Sequence, residues 1–116
     1  MKTMIILSVL LLTGITSALA QHSSYVLTST DTKTLYKSFQ YALENSPSQQ
    51  ATHWVNLETG LTGLTIPLDV YRTSAGQSCR DYFTSLQVKG KANQAFGTAC
   101  QQSSGYWKVV SEKLVG

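Results

Sequence analysis

The chain has little of what a small enzyme or a nucleic-acid binder depends on. It carries two histidines, two cysteines, two prolines and six acidic side chains in 116 residues. No G-x-S-x-G turn and no Ser-His-Asp-like grouping occurs, so acyl-transfer chemistry has neither its nucleophile nor its base. Gly60, Gly63, Gly76, Gly90, Gly97 and Gly105 never form a phosphate-cradling loop that opens a helix and read instead as turn and sheet glycines. Nine basic residues against six acidic give +3, with no basic block along the chain. That balance is too weak and too scattered to argue for nucleic acid or anionic lipid. Two cysteines alone cannot close a structural zinc site, and His22 and His53 lie far from them in sequence. The cysteines are not in a C-x-x-C arrangement, which argues against thioredoxin-like redox chemistry. No metal and no cofactor is expected.

One long apolar run is present, at the start. Lys2 followed by Met4 to Leu12 and then Ala18-Leu19-Ala20 before Gln21 has the charge, the apolar stretch and the A-x-A site of a secretory signal over residues 1–20. The run is too short to span a bilayer. Removing it leaves 96 residues with eight basic side chains against six acidic, a net charge of +2, and no apolar run that could cross a membrane. The expectation is a soluble chain exported to the periplasm, outer membrane or cell surface of a Gram-negative bacterium. Ninety-six residues favour a single domain whose core is marginal without further support. An even cysteine count behind a signal sequence reads as a disulfide, Cys79 to Cys100.

Residues 21–30 are polar and rich in Ser and Thr, and read as a partly ordered leader to a domain over residues 31–116. From Thr32 to Asn45, Leu35, Phe39, Ala42 and Leu43 fall at the helical period, with Asp31 as the expected N-cap and Pro47 preventing continuation. Tyr36, Lys37 and Gln40 are expected to face away from the core. Beyond Pro47, five strand candidates follow: His53 to Leu57, Leu64 to Arg72, Ser78 to Val88, Ala92 to Gln101 and Tyr106 to Ser111. Each connection contains glycine and is short, which favours antiparallel neighbours. The expected fold is α+β: one amphipathic helix packed on an antiparallel meander of four to five strands, with one disulfide. In the second strand, Leu64, Ile66, Leu68 and Val70 alternate with Thr65, Pro67, Asp69 and Tyr71, which predicts an apolar face made of the first set. Pro67 has no N–H to donate, so it belongs at an edge or a bulge.

The register of the central hairpin follows by arithmetic. If Lys89-Gly90 is a two-residue turn, every cross-strand pair has numbers summing to 179, and Cys79 and Cys100 satisfy the sum. Nine steps from the turn, they fall at a non-hydrogen-bonded pair, where Cα atoms lie about 4.5 Å apart and a disulfide can close. The same register sets Phe83 beside Phe96 on the cysteine face and Tyr82 over Gly97 on the other. Which face meets the helix stays open, because both carry aromatics.

The candidate functional residues are few. Arg80, with Tyr82, Trp54 and Trp107, is the set from which a partner contact is expected, Arg80 pairing internally with Asp69 or Glu58 being the structural alternative. Tyr71, Tyr82, Tyr106, Trp54 and Trp107 with Arg72, Arg80 and Lys108 also have the composition of an aromatic-basic face for single strands, but export argues against RNA. The competing class is a small secreted hydrolase in which His53 works with Asp69 or Asp81. A third is an inhibitor that plugs the cleft of a secreted enzyme. The leading expectation is a non-enzymatic structural or protein-binding domain, its partner another envelope protein.

Read together, Ala42-Leu43, Trp54-x-Asn56, Thr59-Gly60-x-x-Gly63, Pro67, Tyr71, Gly76-x-x-Cys79-Arg80-x-Tyr82, Gly97-Thr98-Ala99-Cys100 and Gly105-x-Trp107 form an ordered series over roughly Thr32 to Val110. The series resembles the C-terminal domain of the rickettsial seventeen-kilodalton common-antigen family, surface antigens of Gram-negative bacteria. The resemblance implies an envelope protein with a small helix-plus-sheet domain and no assigned catalysis. Two departures stand out. The lipidated cysteine and glycine-rich segment with which family members commonly begin have no counterpart in this sequence, and Gln101 and Leu57 stand where the family usually carries arginine and proline.

Overall fold

The structure is a computed structural model and describes residues 26–115. The expected signal segment, residues 1–20, lies outside the described residues. Among the described residues, one helix, α1 (Ser29–Asn45), is followed by five strands, β1 (Thr52–Val55), β2 (Thr62–Arg72), β3 (Ser78–Val88), β4 (Lys91–Gln101) and β5 (Trp107–Leu114). The strands form one antiparallel sheet in chain order, the expected meander. No helix among the described residues is long and apolar enough to cross a membrane.

The helix begins three residues earlier than its apolar period predicts, inside the stretch expected as a leader. Thr28 is the N-cap, and Asp31 is the third helical residue rather than the cap. The two close a capping box: the Asp31 N–H donates to Thr28 Oγ1 at 3.0 Å, and the Thr28 N–H donates to Asp31 Oδ2 at 3.0 Å. Leu27, just outside the helix, is buried in the core. At the other end the Ser46 N–H donates to the Ala42 carbonyl at 2.9 Å before Pro47 stops the helix. Leu35, Phe39, Ala42 and Leu43 are the buried apolar face, as their period requires. Lys37 is exposed, but Tyr36 and Gln40 are half-buried against the start of β5, so only one of the three expected outward residues is free of the fold.

The β3–β4 hairpin has the arithmetic register. Val88 faces Lys91, Tyr82 faces Gly97, Phe83 faces Phe96, and Cys79 faces Cys100, with which it forms the disulfide at a Cα separation of 4.0 Å. Both turn residues take positive φ, Lys89 at 51° and Gly90 at 79°, the twist that suits a two-residue hairpin.

Register also decides which face the helix covers. Tyr82 is fully buried and meets Phe39 edge to face at a centroid distance of 4.9 Å. Arg80, Thr84, Leu86 and Val88 share its face on β3, and Ala95 and Ala99 share it on β4; all are buried. The cysteine face is left uncovered.

This assignment reverses the expected apolar face of β2. Gly63, Thr65 and Pro67 are the buried residues, whereas Leu64 and Ile66 are half-buried on the open face and Leu68 and Val70 are exposed. The reason is volume. Trp54 lies directly over Gly63, so that an added Cβ there would meet the indole at 2.7 Å, and Pro67 pairs with the bulky Tyr82. Large rings from neighbouring strands and from α1 fill the space, and β2 must be small beneath them. Pro67 sits where its missing donor costs nothing: pairing with β1 stops at Thr65, and the β2–β3 register shifts between Pro67 and Val70. Its carbonyl accepts from the Gln49 N–H at 2.8 Å.

Candidate functional site

Arg80 and Tyr82, from which a partner contact is expected, are not on the surface. Arg80 is 5% exposed; its Nε donates to the Leu68 carbonyl and its Nη1 to the Leu43 carbonyl, both at 2.8 Å. Leu43 is in the last turn of α1, which has free carbonyls and no basic residue of its own. A cation delivered from β3 therefore completes the negative end of the helix and ties it to the bulge after Pro67. Burial lowers the guanidinium from its ordinary pKa, and the charge of nearby Asp69 acts in the opposite direction. Tyr82 donates its hydroxyl to Glu112 Oε2 at 2.9 Å, and burial followed by the glutamate's charge pushes the phenol well above its usual range.

Trp107 is also buried and bonded within the domain. Its indole N–H donates to Glu44 Oε1 at 2.9 Å. Its backbone N–H and carbonyl are both taken by the Gln40 side chain, at 2.9 and 2.7 Å, so a helix amide stands in for a neighbouring strand at the start of this edge. Trp54 is half-buried over Gly63. The partner contact expected of Arg80, Tyr82 and Trp107 is thus corrected: desolvating and hydrogen-bonding these groups holds α1 onto the sheet. The aromatic-basic face for single strands is divided by the same packing, since Tyr82, Trp107 and Arg80 lie beneath the helix.

Two other members of the motif series are likewise structural. Asn56 and Thr59, in the β1–β2 loop, donate to Asp31 Oδ1 at 2.7 and 2.6 Å and fasten that loop to the helix N-terminus. Asp31 and Asn56 are both buried. Gln101 donates to Glu44 Oε1 at 2.8 Å, inside the same chain.

The expected acid-base pair is not assembled. His53 is exposed on β1 opposite Leu64, and Leu64 lies opposite Ser85. Asp69 is five residues further along β2 and Asp81 four along β3, so each is roughly 13 Å or more away at the rise of a strand. Asp81 accepts instead from Thr98 Oγ1 at 2.6 Å. Among the described residues, no group of three His, Cys, Asp or Glu side chains is placed to hold a metal ion.

What remains is the open face. Ile66, Phe83 and Phe96 lie in one row across β2, β3 and β4, with the two phenyl rings 5.1 Å apart. Phe96 is 54% exposed; Tyr71 and Val55, on the same face, are also exposed. Lys113, opposite Phe96 on β5, ends the row with a charge. At the corner between β1, β2 and β3 the face dips into a pocket of about 380 Å³. The Phe83–Phe96 pair is legible from the hairpin register; that it is uncovered is not, because the choice of face depends on α1.

A family model described as 17 kDa outer membrane surface antigen matches residues 41–108. The 17 kDa surface antigen of Rickettsia bellii (strain RML369-C) is 42% identical over 72 residues, which is 62% of this chain and 45% of that protein. The 17 kDa surface antigen of Rickettsia prowazekii (strain Madrid E) is 40% identical over 81 residues, 70% of this chain and 51% of that protein. The chain spans about half the length of the curated relatives it matches. No solved structure matches it.

Proposed function

This chain belongs to the 17 kDa surface antigen family, and we propose that it acts as an exported cell-envelope domain with a non-catalytic, protein-binding role exercised through the open face of its sheet. The observation that carries the reading is the asymmetry of that sheet. One face is covered by α1, while the other carries an aromatic and aliphatic row, half-buried at Ile66 and Phe83 and exposed at Phe96. Contiguous apolar surface of this kind is where soluble domains meet partners. Placement in the periplasm or at the outer membrane is supported by the signal pattern of residues 1–20 and by the names of the relatives. A disulfide between Cys79 and Cys100 suits such an oxidising compartment.

The test places a photo-crosslinking side chain at Phe96 and, as a control on the helix side, at the exposed Tyr41. After expression in a Gram-negative host, a discrete protein adduct is expected from position 96 in the envelope fraction and none from position 41. Equal labelling from both positions, or none, overturns the binding face. Recovery of uncleaved protein from the cytoplasm overturns export.

A further inference from the structure

The pocket at the corner of the open face has properties that a bare sheet surface lacks. Leu64 and Val55 give it an apolar floor and wall, and His53, Thr62 and Gln87 stand around it. Its volume of about 380 Å³ is at the lower end of the range of ligand pockets, about 300 to 1,000 Å³, and exceeds the roughly 150 Å³ that suffices for benzene. Ser85 is among its lining residues and is 5% exposed. The register places Ser85 on the open face, two residues from Phe83. Its side chain makes no hydrogen bond among the described residues and is open to the pocket, unlike Ser38 Oγ on α1, which is fully buried without a partner. The adjacent Thr84, on the opposite face, donates to the Leu64 carbonyl at 3.0 Å. A hydroxyl so deeply set is favoured when a ligand atom pairs with it, because it is poorly reached by water.

We propose that this pocket binds a single neutral aromatic ring bearing one hydrogen-bonding group, of the phenol type, with the ring against Leu64 and Val55 and its oxygen on Ser85 Oγ. The lining has no carboxylate, ammonium or guanidinium, and its one titratable side chain is the exposed His53, so a charged ligand loses hydration against a mostly neutral wall. The floor is the flat surface of paired strands, which suits the face of a ring better than a long chain. The ring has two sources, a free phenol or a tyrosine side chain of a partner protein. The inference rests on the same open face as the proposed function, but not on the row through Phe96.

The experiment is a chemical-shift titration of the whole chain with p-cresol, toluene and the amides of N-acetyl-tyrosine and N-acetyl-phenylalanine. Shifts are expected at Val55, Leu64, Ser85 and Gln87, with p-cresol bound about fivefold more tightly than toluene, the ratio one hydrogen bond supports. Ser85→Ala is expected to remove that preference while leaving the melting temperature unchanged. A tyrosine amide preferred over the phenylalanine amide identifies a side-chain ligand, and exclusion of both amides identifies a free phenol. Shifts absent from the pocket, equal affinity for p-cresol and toluene, or a preference that survives Ser85→Ala overturns the proposal. Ser85→Ala leaves crosslinking from position 96 unchanged while removing the p-cresol preference, so failure of either reading is seen separately.

Discussion

The two faces of this sheet are built from the same five strands, yet they use aromatic residues in opposite ways. On the helix side, Tyr82, Trp54 and Trp107 each lie against a small or polar group that accepts them: Gly97, Gly63 and the side chains of Gln40 and Glu44. On the open side, Phe83 and Phe96 pair with each other between Ile66 and Lys113, and no helix lies over them. Close packing with hydrogen-bonded rings marks the face that holds the domain together, and loose pairing marks the face left for something else. Trp54, Gly63, Arg80, Tyr82, Gly97 and Trp107 of the motif series all belong to this first, packed face.

The sharpest way to break the contrast is Gly97→Val. A Cβ at Gly97 would lie 2.4 Å from the Tyr82 hydroxyl oxygen and 2.8 Å from the backbone carbonyl oxygen of Ser111, and the backbone cannot give way as a flexible side chain would. A loss of at least about 3 kcal/mol is expected in denaturant unfolding. Phe96→Asp, one residue away on the open face, should cost under about 0.5 kcal/mol. Equal losses would erase the distinction between the faces.

Removing the disulfide by Cys79→Ala with Cys100→Ala should cost about 3 kcal/mol, the chain-entropy value for a sequence separation of 21 residues. The double variant should melt lower and be cut faster by protease; an unchanged melting curve under non-reducing conditions would deny the bond its structural role. Arg80→Met should cost about 2 kcal/mol, because it strips two buried carbonyls of a charged donor. Arg80→Lys should not restore the loss, since a lysine amine cannot span the two carbonyls as the guanidinium does. Amide exchange at the end of α1 should speed up in both, and unchanged protection there would count against the clamp.

The smallest effect concerns pH. Burial raises the phenols of Tyr82 and Tyr36 above their ordinary value of 10.0. Below pH 10 both the folded and the unfolded chain keep these protons, and the contribution is present in full. Above it the unfolded chain releases them first, so the folded state binds more protons and stability falls as pH rises. Tyr82→Phe should flatten the alkaline side of the stability curve. If the wild type and the variant lose stability in parallel above pH 10, the buried phenol is not the cause.

Much of this molecule was legible from its residues. The period of Leu35, Phe39, Ala42 and Leu43 marks the helix, and the Lys89-Gly90 turn sets a register that places Cys79 opposite Cys100 and Tyr82 over Gly97. These are local rules of helical period and strand pairing, written in consecutive residues. The helix start is less legible because Asp31 fits either capping role, and only Thr28 and the buried Leu27 show which one it takes. The functional residues were harder. Arg80 beside a cysteine looks like an exposed contact until α1 arrives with its free carbonyls, and Ser85 gives no signal in sequence at all.

The sequence by itself determined the order of elements, the hairpin register and the disulfide, because each depends on spacing along one chain. Only the tertiary structure decided which face of the sheet is covered. Alternation makes two faces on every strand, and both faces here carry aromatics. The choice falls to packing volume, with rings from Phe39, Trp54 and Tyr82 filling one side over small residues of β2 and β4. That choice buries Arg80 and Tyr82, exposes Phe96 and leaves the Ser85 pocket open.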